Sequence, residues 1–181
     1  MKKEIQVLIK TAEKEPIAGS NGEEGWLRLA CPDSTELESL VHHFSALPSP
    51  VVAVKVNNEI LSLSERLEVN ASLEPVLLAS SEGAVVYRNS LAFLLAVAAG
   101  DLFPERSLYI GHSLGRSYYY TFLEGKVPEK NEIENLQNRM RQLVKEDLPI
   151  MRNYMAYAEA MEVFRKNHQV DTALLLEERS E

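Results

Sequence analysis

The fold of the first half is decided by residues 51–58, VVAVKVNN, a β-branched run followed by paired asparagines. Such a run predicts a strand because branched side chains fit a pleated sheet, and the asparagines predict a turn at its end. Working outward, apolar residues in strand patterns predict further strands over 3–10, 26–29 and 73–78. Glycine, proline, serine and asparagine over 15–25 predict a loop between the first two strands.

One helix is expected among these strands. Capping and acidic residues at 33–36 precede apolar residues at helical spacing over 37–44, which is the pattern of a helix start followed by a buried face. Pro48 and Pro50 end this helix because proline cannot continue it. The order predicts a β-rich sheet curled over a single helix, in the manner of a ubiquitin-like grasp.

The second half mixes helices with strands. Apolar spacing and breaker residues predict helices over 89–103, 129–146 and 156–166, strands over 108–110 and 117–123 joined by a turn at 111–115, and a closing strand over 170–176. The change of character near residues 80–83 predicts two domains, over 1–80 and 81–181. The predicted fold class is therefore α+β.

Composition and charge limit the classes of function. The 181 residues are 45% hydrophobic and 25% charged, which is globular composition. Twenty-seven acidic against 19 basic residues give a net charge of −8, which disfavours binding nucleic acid by phosphate attraction unless folding forms a basic patch. Cys31 is the single cysteine and is predicted to be a small buried apolar residue. The sequence lacks an apolar leader and a long apolar run, so we expect a cytoplasmic protein without a membrane partner.

Three segments in fixed order resemble the amino-terminal region of threonyl-tRNA synthetases. They are VKVNNEI at 54–60 with LSERL at 63–67, YRNSLAFLL at 87–95, and IG at 110–111 followed by YYY at 118–120 and KEDLPI at 145–150. The first resembles the end of a TGS domain, a ubiquitin-like module, and the second resembles the start of the editing domain. The resemblance implies a TGS-like β-grasp domain over 1–80. It also implies a degenerate editing domain over 81–181, of the kind that threonyl- and alanyl-tRNA synthetases share.

Two departures from the synthetase pattern bear on catalysis. The family has two histidines at i and i+4 of one helix, where they can hold a metal or a water beside the scissile ester. Asn89 and Phe93 occupy those positions here. We therefore predict no catalytic residue and no metal ligand in this chain. A deacylase that uses an unrecognised site is the enzymatic alternative.

A closer resemblance is to bacterial uridine-kinase-like proteins of the phosphoribulokinase/uridine kinase family. In these a TGS domain and a degenerate editing-type domain precede a nucleotide-binding P-loop kinase, a transferase. The apolar Phe93 and the segment IGHSLG at 110–115 carry this resemblance. The chain has no G-x-x-x-x-G-K-[ST] motif, so ATP and Mg²⁺ are expected only in a kinase domain downstream. We expect the gene to continue beyond Glu181 into that domain.

The leading functional prediction is a non-catalytic ligand-binding or regulatory region of a uridine- or nucleoside-kinase-like protein. The alternatives are an aminoacyl-tRNA editing deacylase of the threonyl-tRNA synthetase type, and a module that docks a protein or RNA through the TGS domain. A small-molecule or anionic ligand would bind in the hollow of the editing-like domain. Its predicted contacts are Arg88, Asn89, His112, Ser113, Arg116, Tyr118 and Tyr120.

These candidate residues have physical reasons and structural alternatives. Arginine pairs with anions, and tyrosines can stack on a base. The alternatives are local bonding of a turn histidine and cross-strand packing of the tyrosines. Ser113 has no paired base and acid at a recognisable spacing, so a nucleophile is not expected. If the hollow binds a ligand, we expect Arg88, His112, Arg116 and Tyr120 to converge on one concave surface.

Overall fold

The computed structural model describes residues 3–11, 25–44, 47–115, 117–123, 127–150, 153–167 and 169–178. Its elements are β1 (Glu4–Lys10), β2 (Trp26–Pro32), β3 (Thr35–Glu36), α1 (Leu37–Leu40) with a 3₁₀ turn (Val41–His43), β4 (Val51–Val56), β5 (Glu59–Leu61), β6 (Arg66–Leu67), β7 (Ala71–Leu77), α2 (Ser81–Leu102), β8 (Leu108–Leu114), β9 (Ser117–Phe122), α3 (Lys130–Glu146), α4 (Tyr157–Lys166) and α5 (Val170–Glu178). The chain divides into compact units over 1–142 and 143–181. The mixed α+β class is confirmed. The predicted boundary at residue 80 stays a prediction.

The first unit contains a five-stranded mixed sheet in the order β2-β1-β7-β4-β5. The strands β1 and β7 pair in parallel, and the other neighbours pair antiparallel. Alternation puts Ile5, Val7 and Ile9 on one face, where all three are buried. The strands predicted around residues 3–10, 26–29, 51–56 and 73–78 are therefore confirmed. The loop predicted over 15–25 lies outside the described residues except for Gly25.

The buried face of this sheet packs against the short helix. Leu37, Leu40 and Phe44 join the sheet residues in one apolar cluster, because their spacing brings them to one side of α1 and its 3₁₀ extension. Cys31 is a buried free thiol in the same cluster, as predicted.

The junction between the sheet and α2 is tightly packed. Ser80 caps the helix, since its Oγ accepts a hydrogen bond from the backbone N–H of Gly83 at 3.0 Å. A Cβ at Gly83 would lie 1.9 Å from the carbonyl oxygen of Leu77, so only glycine permits this approach. The Lys55 ammonium on β4 pairs with Glu82 at 2.8 Å, and this hydrogen bond raises the pKa of Lys55. The predicted start at residue 89 is wrong by about two turns, because the Ser80 cap begins the helix at Ser81.

A hairpin and α3 as far as residue 142 complete the first unit. The predicted turn over 111–115 is wrong, because β8 continues to Leu114 and pairs with β9 up to Ser117. Phe122 at the end of β9 is buried and meets Phe103 edge-on, with ring centroids 5.5 Å apart. The helix predicted over 129–146 is confirmed as α3, with Leu136 buried.

In the second unit, α4 and α5 pack against each other. Met161 and Ala173 are buried, and Arg165 forms an ion pair with Glu177. The predicted strand over 170–176 is wrong, because this segment is the helix α5. Alanine, three leucines and two glutamates are good helix formers, and their intrinsic preference outweighs the single valine at its start.

Among the described helices, α2 alone is long and apolar enough to cross a membrane by length and composition, and 17% of its most apolar window is buried. One such helix is weak evidence, because core helices of soluble proteins pass the same test. The predicted absence of a membrane partner stays a prediction.

Candidate functional site

The hairpin of β8 and β9 has two faces with different side chains. Ile110 pairs directly with Tyr120, and Ser113 pairs with Tyr118, so these four residues share what we call the inner face. Between these two pairs, two residues of β8 oppose the single residue Tyr119 of β9. This is a β-bulge, in which one strand carries an extra residue.

The inner face meets the side chain of Arg88 from α2. The guanidinium carbon of Arg88 lies 5.9 Å from the ring centroid of Tyr118, within the range of a cation–π contact. The ring centroids of Tyr118 and Tyr120 are 6.5 Å apart, and both side chains are half-buried. Ser113 is paired with Tyr118 and is exposed. The structure thus brings together four of the predicted ligand residues: Arg88, Ser113, Tyr118 and Tyr120.

His112 is separated from this group. Its ring lies 6.1 Å from that of Tyr119, with 20° between the ring planes, and Tyr119 alternates to the face opposite Tyr118 and Tyr120. The β-bulge puts His112 beside Tyr119, away from the pair of Tyr118 and Tyr120. The convergence of His112 with Arg88 on one concave surface stays a prediction. Arg116 lies outside the described residues, so its part in the prediction has no structural account.

The helix positions that carry histidine in the synthetase pattern are two and three turns inside α2. Asn89 and Phe93 are both exposed, and their spacing puts them on one side of the helix. Neither side chain can replace an imidazole as a metal ligand and proton carrier. In the described part of the chain, no three His, Cys, Asp or Glu side chains are placed to hold a metal ion.

The electrostatics of the inner face depend on Arg88. A guanidinium stays charged at all physiological pH values and presents several N–H donors. Its Nε atom is buried, and its guanidinium carbon lies over the Tyr118 ring. The tyrosine and serine hydroxyls can both donate and accept hydrogen bonds. Chemically, this arrangement suits an anionic oxygen together with sugar hydroxyls, and it contains no nucleophile beside a general base.

Sequence reasoning left two exposed aromatic residues out of the candidate site. Tyr109 and Tyr119 lie on the other face of the hairpin, 50% and 46% exposed. Strand alternation carried through Gly111 would have placed them together. Because the sequence predicts a turn over 111–115, strand alternation is not applied to this segment, and the shared face of Tyr109 and Tyr119 is not predicted.

Comparison with known proteins finds similarity to threonine–tRNA ligases over most of the chain. The chain is 33% identical over 147 residues to the Desulforamulus reducens ligase, covering 81% of this chain and 23% of the ligase. It is 35% identical over 133 residues to threonine–tRNA ligase 2 of Bacillus subtilis, covering 74% of this chain and 20% of that protein. It is 33% identical over 117 residues to the Thermoplasma volcanium ligase, covering 65% of this chain and 18% of that ligase. No family model matches the sequence.

The chain therefore resembles a part of threonine–tRNA ligases and spans about a fifth of the length of these relatives. This supports the predicted resemblance to the synthetase region, including an editing-like domain. The comparisons give no support to a uridine-kinase parent. They favour the synthetase-type alternative over the kinase-linked prediction.

Proposed function

We propose that this chain is an editing-like region of a threonine–tRNA ligase-related protein. In this role it binds the aminoacylated 3′ end of a tRNA without hydrolysing the ester. The observation that carries the proposal is the similarity to threonine–tRNA ligases over 147 residues. The relatives are named for a reaction that joins an amino acid to tRNA, so an aminoacylated tRNA end is the ligand class that this similarity favours.

The inner face offers suitable groups for such a ligand. Arg88 would meet the phosphate that precedes the terminal adenosine, because guanidinium groups pair well with phosphate oxygens. The hydroxyls of Ser113 and Tyr120 would meet the ribose. Asn89 follows Arg88 on α2 and lies outside the inner face. Its amide would hydrogen-bond an aminoacyl group that extends beyond that face, and it can donate and accept but cannot carry a proton during ester cleavage.

The loss of imidazole chemistry separates this proposal from the deacylase alternative. Ester hydrolysis needs a group that activates water, and the two positions that would supply it carry an amide and a phenyl ring. Binding without cleavage is the activity that remains for the inner face.

The five-stranded sheet is proposed as the TGS-like β-grasp domain over 1–80, with the editing-like domain over 81–181. The parallel pairing of β1 with β7 and the short helix on the sheet support this assignment. Docking of a protein or RNA partner through this sheet is the second candidate function. The net charge of −8 favours a protein over an RNA partner there.

The proposal is tested by calorimetric titration with 3′-deoxy-3′-(L-seryl)aminoadenosine 5′-phosphate, whose amide link cannot be cleaved as an ester. Arg88→Met should weaken its affinity about tenfold or more, as loss of a charge-assisted hydrogen bond does. Arg141→Met is the matched control, since Arg141 is an exposed arginine whose Nη1 donates to Asn138 on the same helix. Equal affinities of the Arg88 variant and the wild type would contradict the proposal.

The kinase-linked prediction has its own test. Sequencing the gene on both sides of this region would reveal either ligase segments or a strand–loop–helix unit with a P-loop. We expect ligase-related sequence, and a P-loop there would restore the uridine-kinase parent.

A further inference from the structure

An aromatic cluster lies on the hairpin face opposite Arg88. Tyr109, His112 and Tyr119 surround Gly111 on β8 and β9, and we call these four residues the outer aromatic cluster. All three rings belong to exposed residues. An exposed group of aromatic side chains on one sheet face is a feature that binding surfaces use.

The β-bulge builds this cluster. With an extra residue in β8, Gly111 and His112 both oppose Tyr119. A Cβ at position 111 would lie 3.2 Å from the Tyr109 ring and 3.3 Å from the Tyr119 ring. The missing side chain therefore lets both rings lie close over the backbone. The rings of His112 and Tyr119 are within 20° of parallel.

Exposed aromatic rings favour flat ligands that can stack on them. A nucleobase stacks on tyrosine or histidine through its π-face, and this attraction tolerates any base sequence and needs no positive charge. Stacking without positive charge matters in this chain, because its net charge of −8 gives little attraction for phosphates. An unpaired base fits these conditions better than a duplex, whose bases are already stacked on each other.

We propose that the outer aromatic cluster binds an unpaired nucleobase of an RNA strand. This inference rests on the proposed function, because an aminoacylated tRNA end is single-stranded and carries unpaired bases next to its terminal adenosine. The base stacks on the near-parallel pair of Tyr119 and His112, with Tyr109 beside it. The two faces of one hairpin then contact one RNA strand in different ways: the inner face through charge and hydroxyls, the outer face through stacking.

The test is fluorescence anisotropy with the labelled RNA tetranucleotide ACCA, titrated with the full chain at several salt concentrations. Tyr119→Ala should weaken binding about tenfold or more, as removal of a stacking ring does, and Tyr119→Phe should keep the affinity close to that of the wild type. Tyr154→Ala is the control, because Tyr154 is an 84% exposed tyrosine outside the cluster. Since stacking supplies the affinity, its dependence on salt should be shallow.

Several outcomes overturn the inference. These are no binding of ACCA by the wild type, equal affinity of Tyr119→Ala, or a steep salt dependence that Tyr119→Ala leaves unchanged. Self-association that Tyr119→Ala abolishes, without RNA binding, would assign the cluster to a second copy of the chain. The proposed function fails separately, if the seryl-aminoadenosine compound does not bind while ACCA binding still depends on Tyr119.

Discussion

His43 is the histidine through which we expect the stability of the first unit to depend on pH. Its ring and that of His42 are 3.9 Å apart in the 3₁₀ turn after α1. Partial burial, and then the charge of His42, lower the pKa of His43 below its ordinary value of 6.5. The folded state thus favours the neutral ring, and the unfolded state binds more protons as pH falls.

The stabilisation due to a neutral His43 is therefore complete above about pH 6.5 and is lost as pH falls through the lower pKa of the folded state. Urea unfolding at pH 7.5 and pH 5.5 should give a smaller difference in unfolding free energy for His43→Gln than for the wild type. His42→Gln should reduce the difference less, because charge is the smaller cause. If the unfolding free energies at pH 7.5 and pH 5.5 differed as much in His43→Gln as in the wild type, His43 would not cause the pH dependence.

Arg106 is a largely buried cation that joins the hairpin to α3. Its guanidinium carbon lies 3.7 Å from the Phe122 ring centroid, and its Nη1 donates to Glu132 at 2.6 Å. Its side chain is 15% exposed. Arg106→Met should lower the unfolding free energy by about 2–4 kcal/mol, because Glu132 would lose its charged partner in a partly buried site.

Arg141→Met serves as the control for Arg106→Met and should change the unfolding free energy by less than about 0.5 kcal/mol. Adding Glu132→Gln to Arg106→Met should recover part of the loss, since the carboxylate that paired with Arg106 is then neutral. Equal unfolding free energies for the two methionine variants would show that Arg106 has no such role.

The start of α2 depends on a glycine that cannot accept a side chain. Gly83→Ala would bring its Cβ to 1.9 Å from the Leu77 carbonyl oxygen, which must move with its strand. We expect a loss of about 1–3 kcal/mol or more in unfolding free energy, as overpacking causes. In urea unfolding, Gly100→Ala on the same helix should instead gain about 0.4–1 kcal/mol, because among the described residues no atom lies within 4 Å of its new Cβ. If Gly83→Ala and Gly100→Ala changed the unfolding free energy by the same sign and size, the close approach at Gly83 would have no role in stability.

Strands with clear alternation could be predicted from sequence, and elements with mixed signals could not. The Ile5, Val7 and Ile9 pattern predicted β1, because one buried face imposes a period of two. The start of α2 lies about two turns before the predicted one, because the Ser80 side chain caps the helix and Val85 and Val86 are already helical. In α5 a short apolar run satisfied both periodicities, and only intrinsic preference favours the helix.

The candidate site could be predicted in part for the same reason. Arg88, Ser113, Tyr118 and Tyr120 come together because helix and strand spacing fixes their faces. The position of His112 could not be predicted, since a bulge adds one residue and leaves no composition signal beyond a glycine. That glycine also favours a turn, whereas in the structure it lies within β8.

The chain as a whole should bind no stoichiometric zinc, because Asn89 and Phe93 replace the histidine pair of the resemblance. Elemental analysis of protein purified without chelator measures this. The double substitution Asn89→His, Phe93→His is the control and should raise zinc retention, since two exposed imidazoles at i and i+4 share one side of α2. One tightly bound zinc per wild-type chain would contradict the prediction.

For the whole molecule, the similarity to threonine–tRNA ligases could be predicted because three motifs occur in a fixed order along the chain. The longer protein to which this region belongs could not be predicted from the sequence. Phe93 and the IGHSLG segment are single features that different proteins can acquire. The similarity over 147 residues now favours the ligases.

Binding without hydrolysis can be measured through the hydrolysis rate of seryl-tRNA in the presence of this protein. The released serine is followed over time at increasing protein concentration. If the inner face holds the ester without activating water, the rate should fall below the spontaneous rate as the complex forms, and Arg88→Met should reverse this protection while Arg141→Met should not. A rate that rises in proportion to protein concentration would contradict the account and identify the chain as a deacylase.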